Sequence, residues 1–477
     1  MNKKTKIVAT LGLVSDTKEV LKQMIENGMN VARLNFSHGD HEWHQKAINT
    51  IRELSEEMDV PIGILGDLQG PRIRTMVDEP IEMKTGETIL LSDSFYKDEL
   101  EGKKSEAKTF LLDVPKIVDD IEVGNEILIE DGLMKLVVKE KTGKILVTEV
   151  VDGGTVKNRK GVNIPDAKLK ISAVTPKDEE DLKFLMENEV DFVGLSFVGS
   201  GEDVEYLKGK MKEMLGREEN LPHVIVKIER KEAIKNLDDI IEKTDAVMVA
   251  RGDLGIEIEP TMVAILQKQI VKKSLEAGKP VIVATQMLDS MIVNPRPTRA
   301  EVSDVTNAVV DHADAVMLSG ESASGKYPIE SVRTMREIIE NTEASPYDDV
   351  KHLLKLNKND DLKQLLLSAY ELAKNISAKA IVAGSAGGNT ARIISHFRPE
   401  QQLLVVTNNK KTYNQLALAW GVRAKLYEKG GVFREDIDWR TEQAKKDGIL
   451  SDGDKVVLIM GRPENEEKIR FVGMKEL

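Results

Sequence analysis

Apolar, largely β-branched runs recur along the first two thirds of the chain, separated by stretches with helical spacing of their apolar positions: "KIVATL" (6–11), "VARLNF" (31–36), "IGILGDL" (62–68), "FVGLSF" (192–197), "VIVKIE" (224–229), "AVMVAR" (246–251), "VIVATQ" (281–286) and "AVMLSG" (315–320). Runs this apolar leave no polar face for water. They read as parallel strands buried on both sides, each followed by a helix. Eight such units predict a (β/α)8 TIM barrel, which places any site at the C-terminal ends of the strands. The beat breaks once. Between "IGILGDLQG" and the helix start "TPKDEEDLKFLMENE" lie "ETILLSD", "EILIEDG", "LMKLVVKEK" and "KILVTEVV", which alternate polar and apolar positions between turns such as "DGGT". This pattern predicts a small β-barrel inserted after the third strand, placed to act as a lid. Thr175, Pro176 and Asp178 supply the start signals of the helix that follows it. After "YDDVKHLLKLNKNDDL" the strands "KAIVAG", "LLVVTN", "AKLYEK" and "VVLIMG" predict a C-terminal α/β open sheet. The expected organisation is barrel at 1–70, lid at 71–160, barrel again at 161–345, and the open-sheet domain at 346–477.

Composition adds limits. A chain of 477 residues exceeds a single core. A formal charge of −13 argues against nucleic acid as a partner, and no apolar run is long enough to cross a bilayer. There are no cysteines, and "MNKKTKIVAT" leads into a strand, not a signal sequence, so the cytoplasm is the expected location.

Candidate chemistry gathers at the strand ends. In "VIVKIER", Lys227 and Glu229 share one strand face, and the next strand ends in "VARGDLG" with Asp253. Two carboxylates on neighbouring strand ends suit a hard divalent cation; a structural Lys–Glu pair beside a turn aspartate is the alternative. In "VARLNFSHG", Arg33, Asn35 and Ser37 alternate onto one face. A buried arginine needs an anion, either a ligand phosphate or a carboxylate of the protein itself. "GDLQGPRIRT" (66–75) places Asp67, Arg72 and Arg74 just past the third strand. Thr285 ends the seventh run and alone reads as packing. "GESASGKY" (320–327) has P-loop spacing, but Tyr327 replaces the magnesium-binding hydroxyl and Pro328 disfavours helix at 327. His38, His41 and His44 lack zinc spacing and are expected at a half-exposed helix start capped by Asp40. In "AGSAGGNTARII", Ser385, Gly387, Gly388, Asn389 and Thr390 form a strand-to-helix loop that can cradle a phosphate or simply turn the chain.

Taken together, "TKIVATLG", "MNVARLNFSHGD", "DLQGPRIR", "KGVNIP", "VKIE", "VMVARGDLGIEI" and the segment 281–322 resemble pyruvate kinase, in family order and from about residue 4 onward. The resemblance implies phosphoryl transfer from phosphoenolpyruvate to ADP, giving pyruvate and ATP, in a homotetramer. It implies that Glu229 and Asp253 hold Mg2+, with Mn2+ as the alternative ion. Lys227 would neutralise the transferring group, Arg33 and Arg74 would grip phosphate oxygens, and Thr285 would stand near the enolate carbon. The backbone from Ala250 through Arg251 and Gly252 would take the substrate carboxylate. Asn35, Arg74, His38 and Lys160 would lie on the nucleotide side.

Two departures qualify that picture. Asn35, Ser37, Asp67 and the Leu68 carbonyl match a potassium site, yet Arg72 stands where potassium-requiring members carry glutamate and independent ones lysine. A fixed guanidinium there implies activity without potassium. The effector loop matches only in part, with Asn389 where arginine is common. The segment "GRPENEEKIRFV" carries glutamates at 464, 466 and 467 that would repel a phosphate, so activation by fructose 1,6-bisphosphate is not expected. A magnesium-dependent aldolase and a non-catalytic sugar-phosphate sensor remain the competing readings.

Overall fold

All eight apolar runs form strands: β1 Lys6–Thr10, β2 Val31–Asn35, β3 Gly63–Asp67, β4 Phe192–Leu195, β5 His223–Ile228, β6 Ala246–Ala250, β7 Val281–Ala284 and β8 Ala315–Leu318. They pair in parallel and close in the order β1-β8-β7-β6-β5-β4-β3-β2. The computed structural model describes residues 3–103, 107–348, 352–357, 359–428, 433–464 and 467–477. Apolar side chains fill the barrel interior, among them Val8, Val31, Leu65, Ile225, Met248 and Ile282. The same cluster takes in Ala417 and Leu418 from the C-terminal domain. That domain therefore plugs the barrel floor, at the end away from the strand C-termini.

Helix starts follow the sequence signals. Thr175 and Asp178 form a reciprocal capping box on the helix Pro176–Glu187, and the Asp40 carboxylate accepts from the Trp43 N–H. His44 departs from expectation. It is buried and stacks on Phe36 with ring centroids 4.1 Å apart, and its ring nitrogen pairs with the His38 carbonyl. His41 pairs with Asp181 across 2.8 Å. The P-loop-like segment forms a one-turn helix, Gly320–Ala323, directly after β8, with a second helix beginning at Pro328.

The insertion is a closed seven-strand barrel. Four of its strands, Thr88–Asp93, Glu126–Ile129, Met134–Thr142 and Ile145–Asp152, were legible, whereas Ile73–Met76, Lys108–Leu112 and Gly161–Asn163 were not. "DGGT" is only partly a turn, because Gly154–Val156 pairs with Ile81–Met83. Entry and exit of the insertion lie side by side, since Arg74 is the antiparallel partner of Gly161. Ile164 and Ala167 extend its core past the last strand.

The C-terminal sheet has five strands, and the fifth, Glu467–Glu476, is antiparallel to Lys455–Glu464. The acidic segment is therefore the end of a hairpin and not a free loop; of its glutamates, Glu466 lies outside the described residues. The domain grips the barrel floor through polar contacts as well. Arg398 donates to the Asp314 carboxylate at 2.9 Å and to the His312 carbonyl at 2.7 Å, all three residues being buried. Lys6 donates to the Val422 carbonyl at 2.8 Å. Among the described residues, no helix is long and apolar enough to cross a membrane.

Candidate active site

Strand β2 projects Arg33 into the barrel mouth, and the neighbouring β3 ends in Asp67. The guanidinium donates to Asp67 Oδ2 at 2.7 Å and to Thr10 Oγ1 at 2.9 Å. Asp67 is 1% exposed. It can approach β4 closely because residue 194 is glycine; a Cβ there would stand 2.6 Å from Asp67 Oδ1. From β5, Lys227 places Nζ 2.7 Å from Glu229 Oε1, 3.5 Å from Asp67 Oδ2 and 2.8 Å from Ser196 Oγ. Ser196 in turn donates to the Leu68 carbonyl. Glu229 Oε2 accepts from the Phe197 N–H at 2.9 Å.

The result is an alternating row of buried charge, Arg33, Asp67, Lys227 and Glu229, with Asp253 on the next strand end. Burial pushes the Asp67 carboxyl up, but the Lys227 and Arg33 charges outweigh it and hold the group below its usual range. Burial likewise opposes the charge on Lys227, and Asp67 and Glu229 overcome it, raising the ammonium. Glu229 is raised, first by burial and then by Asp253, with Lys227 opposing. Two carboxylates that repel one another behind a single ammonium fit an additional cation. Among the described residues, no group of three or more His, Cys, Asp or Glu side chains forms a self-sufficient metal cage.

Beyond β7 the backbone is strained. Thr285 and Gln286 hold φ of 69° and 53°, and Phe197 beyond β4 holds 58°. Such values are rare for β-branched and bulky residues and concentrate at functional sites. Arg251 clamps the turn: it donates to the carbonyls of Ala284 at 3.2 Å and Thr285 at 2.6 Å and is anchored on Asp304 at 2.8 Å. Thr285 Oγ1 accepts from the Gly252 N–H at 2.8 Å. A cavity of 850 Å³ opens here, lined by Arg251, Gly252, Asp253 and Gln286, with Asp131 contributed by the inserted barrel. The insertion thus overhangs the strand ends.

Residues 2–332 match the family profile "Pyruvate kinase, barrel domain", and residues 363–469 match "Pyruvate kinase, alpha/beta domain". A pyruvate kinase of Staphylococcus haemolyticus (strain JCSC1435) is 42% identical over 487 residues, covering 99% of this chain and 81% of its own length. Pyruvate kinases of Staphylococcus epidermidis (strain RP62A) and Staphylococcus aureus (strain MRSA252) are each 40% identical, over 485 and 486 residues, with the same 99% and 81% coverage. The chain belongs to the pyruvate kinase family. The first profile spans the (β/α)8 barrel together with the inserted β-barrel, and the second spans most of the C-terminal α/β sheet.

Not every residue that resembles the pyruvate kinase pattern joins the buried row. Arg74 lies on the inserted barrel and donates to the Arg159 carbonyl at 3.0 Å. Lys160 pairs with Glu130 in the same barrel. His38 is exposed. Asn35 accepts from the Ser37 N–H at 3.1 Å through its side chain. Arg72 is exposed, and no described residue hydrogen-bonds or ion-pairs with its guanidinium. Asp67 Oδ1, by contrast, is buried without a partner among the described residues. In the loop Ser385–Thr390, Gly388 takes φ of 78°, and Arg392 folds under it to reach the Gly387 carbonyl at 3.2 Å. Ser196, Phe197 and Asp304 escaped the sequence reading, and Arg251 was singled out only for its backbone, not for its side chain. A serine closing the apolar run "FVGLSF" was the one signal available.

Proposed function

We propose that this chain transfers the phosphoryl group of phosphoenolpyruvate to ADP, giving pyruvate and ATP, at the mouth of the (β/α)8 barrel. The observation that carries this reading is the buried row Arg33–Asp67–Lys227–Glu229 at the C-terminal ends of the barrel strands. Phosphoryl transfer asks little covalent work of a protein. It needs fixed positive charge where the phosphoryl oxygens travel, and exclusion of water. Lys227 supplies that charge from a site dry enough to give it full effect, and Arg33 a second. A divalent ion held by Glu229 and Asp253 would neutralise substrate oxygens from the other side. Gly252 and Thr285 are hydrogen-bonded to one another, so the substrate carboxylate would take the free N–H groups at the start of the helix Arg251–Glu257, while Thr285 keeps its hydroxyl near the carbon to be protonated. Arg74 and Lys160 stand on the inserted barrel, and together with His38 in the loop after β2 they would meet the nucleotide as that barrel closes.

Arg251 acts as a positioning residue. Replacing it with methionine is expected to lower kcat by about 10- to 100-fold with little change in KM for ADP, because it removes the clamp on the Thr285 turn. Lysine, with one ammonium, cannot reach both carbonyls and Asp304 at once and should not rescue. Recovery of activity in Arg251→Lys would argue for charge alone.

The unpartnered Asp67 Oδ1 can accept either a monovalent ion or the guanidinium of Arg72, which no described residue engages. We assign that role to Arg72 and expect activity without potassium. The loop Ser385–Thr390 carries Asn389 where arginine is common, and the segment 461–472 carries glutamates at 464, 466 and 467, so activation by fructose 1,6-bisphosphate is not expected either. Pyruvate formation should be measured with magnesium in sodium-free buffer, with and without potassium, then with the bisphosphate titrated in. Equal rates with and without potassium, and an unchanged KM for phosphoenolpyruvate, are expected. Turnover only with potassium would remove the role given to Arg72, and no pyruvate in either buffer would remove the enzyme.

A further inference from the structure

Glu257 ends the helix Arg251–Glu257, whose first turn carries Gly252 and Asp253. It stands four residues after Asp253, so the two carboxylates share one helix face, about 6 Å apart along the axis. A glutamate at a helix end normally faces water. This one is 8% exposed. Its Oε1 accepts from the Asn163 side-chain amide at 3.2 Å, and its carboxylate also accepts from the Lys231 N–H. Burial, the largest influence, raises the Glu257 carboxyl; Asn163, Arg230 and the Lys231 N–H oppose it, and Asp166 adds to it.

The two hydrogen-bond partners belong to different parts of the molecule. Asn163 ends the strand Gly161–Asn163, by which the inserted barrel returns to the large one, and lies three residues beyond Lys160. Lys231 opens the short helix Lys231–Lys235, two residues beyond Glu229. A second contact runs beside the first: the Lys231 ammonium pairs with Asp166 at 2.6 Å, again on the returning chain. Glu257 is thus a three-way junction. It joins the return of the inserted barrel, the chain that leaves Glu229, and the helix that presents Asp253. A buried acceptor is costly once its partners leave it, so the three elements shift together or lose its hydrogen bonds. Capping the Lys231 helix would explain one of those bonds and not the contact with the inserted barrel.

We propose that Glu257 is a positioning residue that couples the attitude of the inserted barrel to the placement of Glu229 and Asp253, so that a swing of that barrel alters the grip on a divalent ion. The role of the ion rests on the phosphotransfer reading; the coupling rests on the geometry of the junction. Glu257 acts through the backbone of Lys231 and one helical turn, and is not itself a ligand.

The test reads metal binding and backbone motion apart from turnover. Mn2+ binding to the whole protein, followed by electron paramagnetic resonance without substrates, should weaken about tenfold in Glu257→Ala, the scale of losing a group that orients metal ligands. Asn163→Ala, a change on the inserted barrel alone, should weaken it severalfold. The double variant should bind no more weakly than Glu257→Ala, because both changes cut one link. Glu257→Gln, whose amide can accept from Lys231 and donate to a turned Asn163, should recover most of the affinity. Amide hydrogen exchange should quicken in both 161–167 and 251–258 in either alanine variant. Unchanged Mn2+ binding in Asn163→Ala would reduce Glu257 to a cap and overturn the coupling, as would faster exchange confined to 251–258. Should Glu257→Ala fail to fold, Asn163→Ala decides by the same two readouts. A wild type that binds Mn2+ but forms no pyruvate would remove the phosphotransfer reading and leave the coupling standing; one that binds no Mn2+ would overturn the coupling.

Discussion

Replacing Lys227 with methionine is expected to lower kcat by about 10²–10³-fold, the usual cost of deleting a preorganised charge from a water-excluded site. The side chain keeps its length and apolar stem, so the loss isolates the ammonium. That ammonium has three neighbours to leave behind: Glu229 at 2.7 Å, Asp67 at 3.5 Å and the Ser196 hydroxyl at 2.8 Å. Asp67 retains Arg33. Glu229 does not retain a cation, and its carboxyl, already raised by burial and Asp253, should rise further. A protonated Glu229 is a poorer metal ligand, so the variant should need more magnesium for half-maximal rate. The check is a kinetic titration of magnesium at saturating phosphoenolpyruvate. A fall in kcat with an unchanged magnesium requirement would mean that Lys227 acts only on the substrate and does not support Glu229.

The second large effect lies at the barrel floor. Arg398→Met strands the Asp314 carboxylate, which is fully buried and, among the described residues, keeps only the Val281 N–H at 3.0 Å. Removing one partner of a buried ion pair typically costs about 3–5 kcal/mol. In a chain of several domains the loss should appear as early detachment of the C-terminal domain, not as a shift of one global transition. Trp420, buried beneath Arg398 with the guanidinium 4.9 Å from its ring centroid, reports it by fluorescence during urea unfolding. The double variant Asp314→Asn with Arg398→Met should recover much of the stability, because it leaves no lone charge. The same interface is acid-sensitive. Burial depresses both His312 and His396 to about 4. The unfolded chain would protonate each near 6.5, so their contribution to stability is complete above that pH and disappears as pH falls toward 4.

Much of this was legible in the residues. Eight apolar runs sufficed for the barrel, because strands buried on both faces leave no other reading. Lys227 and Glu229 were visible as a pair since a strand repeats every two residues. What the sequence could not show was pairing across distance. Asp67 turns out to be the junction between Arg33 and Lys227, which lie on β2 and β5, and no local pattern links three strands. Arg251 was legible as part of "ARGDLG", but its side chain points back to the turn after β7.

The inserted barrel also bears on how the chain folds. Strand β3 must find β4, pairing Asp67 with Gly194 across more than a hundred intervening residues. Closing a loop of that length carries a large entropic cost before any contact repays it. The antiparallel partnership of Arg74 with Gly161 changes the problem. Once the small barrel has formed, its two ends are held together, and the connection between β3 and β4 becomes effectively short. The element that overhangs the mature site is thus also the clasp that brings the two halves of the large barrel within reach of one another.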